Sequence, residues 1–243
     1  MSALDSVIEK LARQVLASEP TFRPGMGRWE ADVEAYNLLL LAARHGLSVA
    51  MLLAQQKELY TSATVLSRAC MEAGAKAIWL VQPDDPYERE CRWLAHLAGE
   101  INTRKRLGDV MPSELKVAEQ IAEFRDGVAA ALPDGYIVPK GVPKVKNLLE
   151  IIDLPEKYLL YINSSQYSHG THYAGGAFRT GLGTQKLLTN VVRDVDCFLP
   201  LATCWHFVAL PALRLCDIYG VDTEIVVPQS LQQDYVSALN RTQ

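Results

Sequence analysis

Apolar residues recur three and four positions apart through most of the chain, which is the spacing of one helix face rather than the alternation of a strand. Leu4, Val7, Ile8, Leu11 and Val15 outline a short amphipathic first helix. A Pro/Gly-rich run over 19–27 reads as a loop. A long helical pattern follows over 29–56, with Val33, Tyr36, Leu40 and Leu41 on one side and Gly46 as a point where it would break or kink. Thr61 and Ser62 are placed to cap the next helix, whose face runs through Val65, Leu66, Ala69, Ala73, Ala77 and Leu80 and stops at Pro83. Asp85, Pro86 and Glu88 make a strong helix start: a capping oxygen, a proline in the first turn and an acid near the positive end of the dipole. That helix carries Trp93, Leu94, Leu97 and Ile101 to about residue 109, and another starts at Pro112 and ends near Leu132.

The clearest mid-chain loop is 133–143, followed by a short helix over 144–152 and a second from Pro155. Five glycines make 170–183 a flexible connection, and a last long helix over 184–219 is interrupted or bent by Pro200 and Pro211. Only Ile225, Val226 and Val227 suggest a strand, cut short by Pro228. A terminal helix over 229–240 either packs back on the body or reaches a partner. The expectation is all-α: a single domain over 1–243 forming one bundle of about eight helices, with 221–243 the segment most loosely attached.

Composition fits that picture. Of 243 residues, 49% are hydrophobic and 21% charged, enough to build a substantial core. A net charge of −4 argues against broad nucleic-acid affinity, which needs clustered Lys and Arg; the run Arg104, Lys105, Arg106 reads as a solvated helix end. The five cysteines form no CxxC pair and lie among apolar neighbours, as small core residues of a protein kept in a reducing cytoplasm. The first residues, MSALDSVIEKLARQ, mix charged with apolar positions and show no signal-peptide core. The stretch 197–216 is nearly uncharged and long enough for a bilayer, but its prolines and His206 suit a helix buried inside a bundle, so no membrane is expected. The four tryptophans sit in helical patterns and read as core.

Two constellations carry chemistry. Arg68 and Glu72 are one helical turn apart among small apolar neighbours, either a satisfied packing pair or an inward-facing pair that orients a polar ligand. In the run SSQYSHGTHY (164–173), Ser165 and His169 are four apart, with His172 beyond them and Tyr167 and Tyr173 flanking. Histidine beside hydroxyls suits general acid–base work, whereas the same residues at a helix end also serve as caps. A metal reading would join His169 and His172 with Glu72 or Glu100, but the chain has no HExxH and no paired ExxH motif, so no metal or organic cofactor is expected. Arg89 and His96 fit the R-x4-6-H spacing of HEPN ribonucleases, a spacing that chance supplies in a chain of this composition.

The combination LSRACMEAGAKAIWLV, then DDPYERE, then NSSQYSHGTHYA resembles a broad group of uncharacterised bacterial all-helical proteins, distantly HEPN-like, that pair an R-x-x-x-E helix with a later S-x-x-x-H segment. Arg68, Glu72, Ser165 and His169 stand at those positions, over roughly 60–177. The resemblance implies an all-helical fold with these two helices associated, and no established reaction. The expectation is a small-molecule-binding bundle whose site lies between them. Arg68 would anchor an anionic or carbonyl group, Glu72 would orient Arg68 or His169, and His169 would act as acid or base. Ser165, Tyr167, His172 and Tyr173 would complete the site. A HEPN-like RNase or toxin component, meeting as a homodimer through Arg89 and His96, is one alternative; a non-catalytic interaction module is the other.

Overall fold

A computed structural model describes residues 3–169 and 194–240. Its central layer is α3 (Glu30–Gln55) against α4 (Tyr60–Val81), with α9 (Asp194–Tyr219) packed on both and α1 (Ala3–Leu16) closing the other side of α3. A helical hairpin, α5 (Pro86–Leu107) and α6 (Ser113–Ala130), leaves this body from the end of α4. The shorter α7 (Val145–Ile151) and α8 (Tyr158–Ser168) return to α4. Four-residue helices α2 (Glu19–Phe22) and α10 (Thr223–Val226), with the terminal α11 (Gln229–Asn240), complete the described chain, which contains eleven α-helices and no strand.

A close helix crossing shows how the sequence permits it. A Cβ on Gly74 would lie 2.1 Å from Phe207 O, so α4 approaches the backbone of α9 there as only glycine allows. Phe207 O is free to meet Gly74 because its partner in an unbroken helix would be the N–H of residue 211, and Pro211 has none. Pro211, expected to bend or interrupt the helix, thus lies within a continuous α9 at its contact with α4. Gly46, the other expected break, also lies inside an unbroken helix, where it faces Cys204 and Val208.

α9 is the stretch long and apolar enough for a bilayer, as is α3 by length and composition. Leu201, Cys204, Phe207, Val208, Ala212 and Leu215 of α9 are all sealed in the core. All five cysteines are buried and unbridged. Trp79, Trp93 and Trp205 are buried, while Trp29 is half-buried just ahead of α3.

Three local readings need correction. Thr61 and Ser62 do not cap α4: it starts at Tyr60, and both lie inside its first turn. Residues 225–227 are not a strand. Asp222 accepts the N–H of Glu224 at 3.0 Å and turns Thr223–Val226 into a helical turn, whose Val226 is sealed in the core with the adjoining Val227. The loop expected over 19–27 opens with the helical turn α2, started by Pro20. The start at Asp85 is as expected, its Oδ1 accepting Tyr87 N–H at 2.8 Å. The expected glycine-rich connection over 170–183 and the first residues of the helix expected over 184–219 lie outside the described residues.

Candidate functional site

α4 packs against α8, and Arg68 makes polar contacts between them. Its guanidinium is divided among three partners. Nε donates to Glu72 Oε1 at 2.8 Å, Nη1 to Ser168 Oγ at 2.6 Å, and Nη2 to the Tyr161 hydroxyl at 2.9 Å. The guanidinium carbon also lies 4.7 Å from the centre of the Tyr161 ring. One helical turn separates Arg68 from Glu72, which puts the pair on one face. Two further N–H groups of the five on an arginine take no partner among the described residues.

Ser168 is polarised by its neighbours. It donates to Ser165 O at 3.0 Å while accepting from Arg68. Ser164 and Ser165 turn their hydroxyls back onto α8, Ser165 Oγ donating to Tyr161 O at 2.7 Å. Serines bonded to carbonyls one turn earlier satisfy themselves within a helix. The proton of Ser165 therefore goes to its own helix, and Ser168 holds the position toward Arg68 that sequence reasoning gave to Ser165. His169 ends α8, its backbone N–H returning to Ser165 O at 3.1 Å, with an exposed side chain at the negative end of the helix dipole. Tyr167 faces Tyr60 edge-on, with ring centres 5.6 Å apart. His172 and Tyr173 lie outside the described residues.

The chain has a second arginine–carboxylate pair, and the contrast is informative. Arg89 Nε and Nη2 reach Asp32 Oδ1 and Oδ2 at 2.7 and 3.2 Å, and Nη1 donates to Pro83 O and Asp84 O. The Tyr219 hydroxyl donates to Asp32 Oδ2 at 2.8 Å, and burial together with this bond pushes the phenol well above its ordinary range. Neighbouring Glu90 accepts Ala31 N–H at 2.9 Å, and burial pushes its carboxyl up. Side-chain exposure separates the two pairs: 5% and 1% for Arg89 and Asp32, against 19% and 33% for Arg68 and Glu72. The first is a sealed clamp joining α3, α5 and α9; the second is partly exposed to solvent. Arg89 thus has no surface to offer an RNA phosphate, and His96 pairs with Glu34 at 3.3 Å. Glu100 is taken by Arg104, and no three His, Cys, Asp or Glu side chains gather for a metal among the described residues.

The chain matches no family model, no characterised protein and no solved structure.

Sequence reasoning brought the right helices together but missed Tyr161 and Ser168. A signal existed: Tyr161 and Ser168 are seven apart, two turns along one face, with Ser164 and Ser165 between them. Asp32 and Tyr219 carried no such signal, being 57 residues before and 130 after Arg89, and only folding places them together.

Proposed function

We propose that the protein binds a small molecule bearing an anionic or strongly polarised oxygen at the α4–α8 junction, with Arg68 as its anchor. The observation that carries this reading is the guanidinium of Arg68, fixed by Glu72, Tyr161 and Ser168 yet partly exposed, with two N–H groups to spare. Three partners and a ring face cost the arginine most of its rotamer freedom in advance, so a ligand meets a pre-oriented donor pair. Glu72 holds the charge in place, and His169, one residue from Ser168, supplies an exposed imidazole as acid or base for a bound substrate. Tyr161 and Ser168 join Tyr167 and Ser165 as the hydroxyl-bearing residues of this junction.

Ligand-observed NMR with a library of simple carboxylates and phosphate monoesters tests this reading. It predicts hits that disappear in Arg68→Gln and weaken by about tenfold in Arg68→Lys, which keeps the charge but loses the planar fork. A library with no hits, or hits indifferent to both variants, would overturn it.

A second reading, an interaction module, is favoured by one observation. Among the residues of α6 only Ala118 is buried, while Phe124 of that helix and Val110 and Met111 at the hairpin tip stand exposed. If this face joins two copies, Phe124→Glu shifts the mass seen by light scattering from dimer to monomer; an unchanged mass argues against it. The terminal helix is not the docking segment in this reading, since Leu231, Tyr235 and Ala238 pack onto the body, Tyr235 stacked on Trp205 with ring centres 4.2 Å apart.

A further inference from the structure

A second opening lies at the other end of α4, made of different residues from the Arg68 junction. It is a cleft of about 570 Å³ between the first turns of α5 and the loop at 134–139, lined by Asp85, Glu88, Arg92, Asp134, Tyr136 and Ile137 among others. Its far wall is pinned. Tyr136 donates its hydroxyl to Asp85 Oδ2 at 2.6 Å, its ring packs against Tyr87, and Gly135 makes the turn at a φ of 96° that other residues rarely adopt. The cleft is therefore formed before any ligand arrives.

Arg92 lies half-buried in it. Nη1 is fixed to Trp79 O and Gln82 Oε1 at the C-terminal end of α4, and the Trp79 ring lies against the guanidinium at 5.5 Å. The opposite edge, Nε with Nη2, takes no partner among the described residues. Burial pushes the guanidinium down from its ordinary range, with the nearby Glu88 charge opposing. Glu88 precedes Arg92 by one turn, the spacing at which such pairs close on a helix surface. The same spacing closes in Glu9–Arg13, Glu19–Arg23, Arg68–Glu72, Glu100–Arg104 and Lys146–Glu150, and among the described residues it stays open in Glu72–Lys76 and Lys105–Asp109. Glu88 and Arg92 stay apart, both on the wall of the cleft.

An open acid–base pair on a preformed cleft selects among ligand charges. A simple anion would meet Asp85, Glu88 and Asp134, and a simple cation would meet Arg92. A ligand with both charges on one carbon satisfies both, because side chains one turn apart leave about 5–6 Å between their Cβ atoms for it to bridge. We propose that this cleft binds a free α-amino acid with an apolar side chain. The carboxylate takes the Nε/Nη2 edge of Arg92 in the two-bond manner of arginine, the ammonium sits at Glu88, and the side chain lies against Tyr136 and Ile137.

Isothermal titration with L-leucine and with L-phenylalanine tests this, with phenethylamine and hydrocinnamate as the single-charge controls, all four compared in the full chain carrying Arg68→Gln, which lacks the carboxylate anchor of the α4–α8 junction. Saturable binding of at least one amino acid at about 1 mM or tighter is expected, with both controls at least about tenfold weaker than L-phenylalanine where the latter binds. Glu88 is exposed and caps nothing, so Glu88→Gln keeps the fold and is expected to weaken binding by about tenfold or more, the loss of one charge-assisted contact. Saturation by neither amino acid, hydrocinnamate or phenethylamine binding as tightly as L-phenylalanine, or unchanged affinity in Glu88→Gln would overturn the proposal. Arg68→Gln leaves this binding unchanged, which separates it from the α4–α8 reading.

Discussion

At the scale of single residues, the two arginine–carboxylate pairs do different work because their surroundings differ. Arg89 spends its guanidinium on Asp32 and on the Pro83 and Asp84 carbonyls between α4 and α5, and Asp32 also receives Tyr219. Removing one side of a sealed pair leaves a buried charge without a partner, at a cost of about 3–5 kcal/mol. Asp32→Ala should lose that much in urea unfolding, whereas Glu72→Ala, at a partly exposed pair, should lose about 1 kcal/mol or less. Equal losses would show that the two pairs are not distinct in the way their exposure indicates. Histidine gives a second prediction at this scale. His206 is bonded through Nδ1 to Ala202 O at 2.7 Å, faces the Tyr235 ring, and burial pulls its pKa down. A depressed folded pKa means that the stabilisation is complete above the unfolded value of about 6.5 and is lost as pH falls below it. Unfolding free energies measured on either side of that value should therefore drop more in wild type than in His206→Gln, and parallel drops would refute the assignment.

Between elements, the fold rests on how closely α4 and α9 approach. Gly74 accepts the backbone of α9 where Pro211 has released the Phe207 carbonyl. Gly74→Ala must push the helices apart and should cost about 1–3 kcal/mol, read from the midpoint of denaturant unfolding; a neutral or stabilising change would contradict the crossing. This contact marks the limit of what periodicity reveals. The helices over 30–55, 86–107 and 229–240 were legible because their apolar spacing is regular and Asp85, with Pro86, announces a start. Pro211 and Gly46 read as breaks, since local propensity disfavours both in helices, but tertiary packing outweighs a propensity of about 1–3 kcal/mol. Ile225 to Val227 read as a strand because a three-residue β-branched run carries no period, and the Asp222 cap decided the matter. The pairing of α4 with α8 was anticipated from their polar residues. The residues that join them were displaced by one turn of α8, from Ser165 to Ser168 and Tyr161, because serines in a helix first satisfy their own carbonyls.

For the molecule as a whole, one core runs through α1, α3, α4, α9 and α11, while polar groups with unspent donors gather at the two ends of α4. The sealed clamp and the Gly74 crossing hold the bundle, whereas Arg68 is held in place with donors to spare, which is what the proposed binding at the α4–α8 junction would use. The most direct measurement is native mass spectrometry of the protein purified gently from cells, comparing wild type with Arg68→Gln. The account predicts a small anionic molecule retained on wild type and lost from the variant while both keep the same helical content by circular dichroism. Wild type carrying no such molecule, or the variant carrying the same one to the same extent, would contradict it.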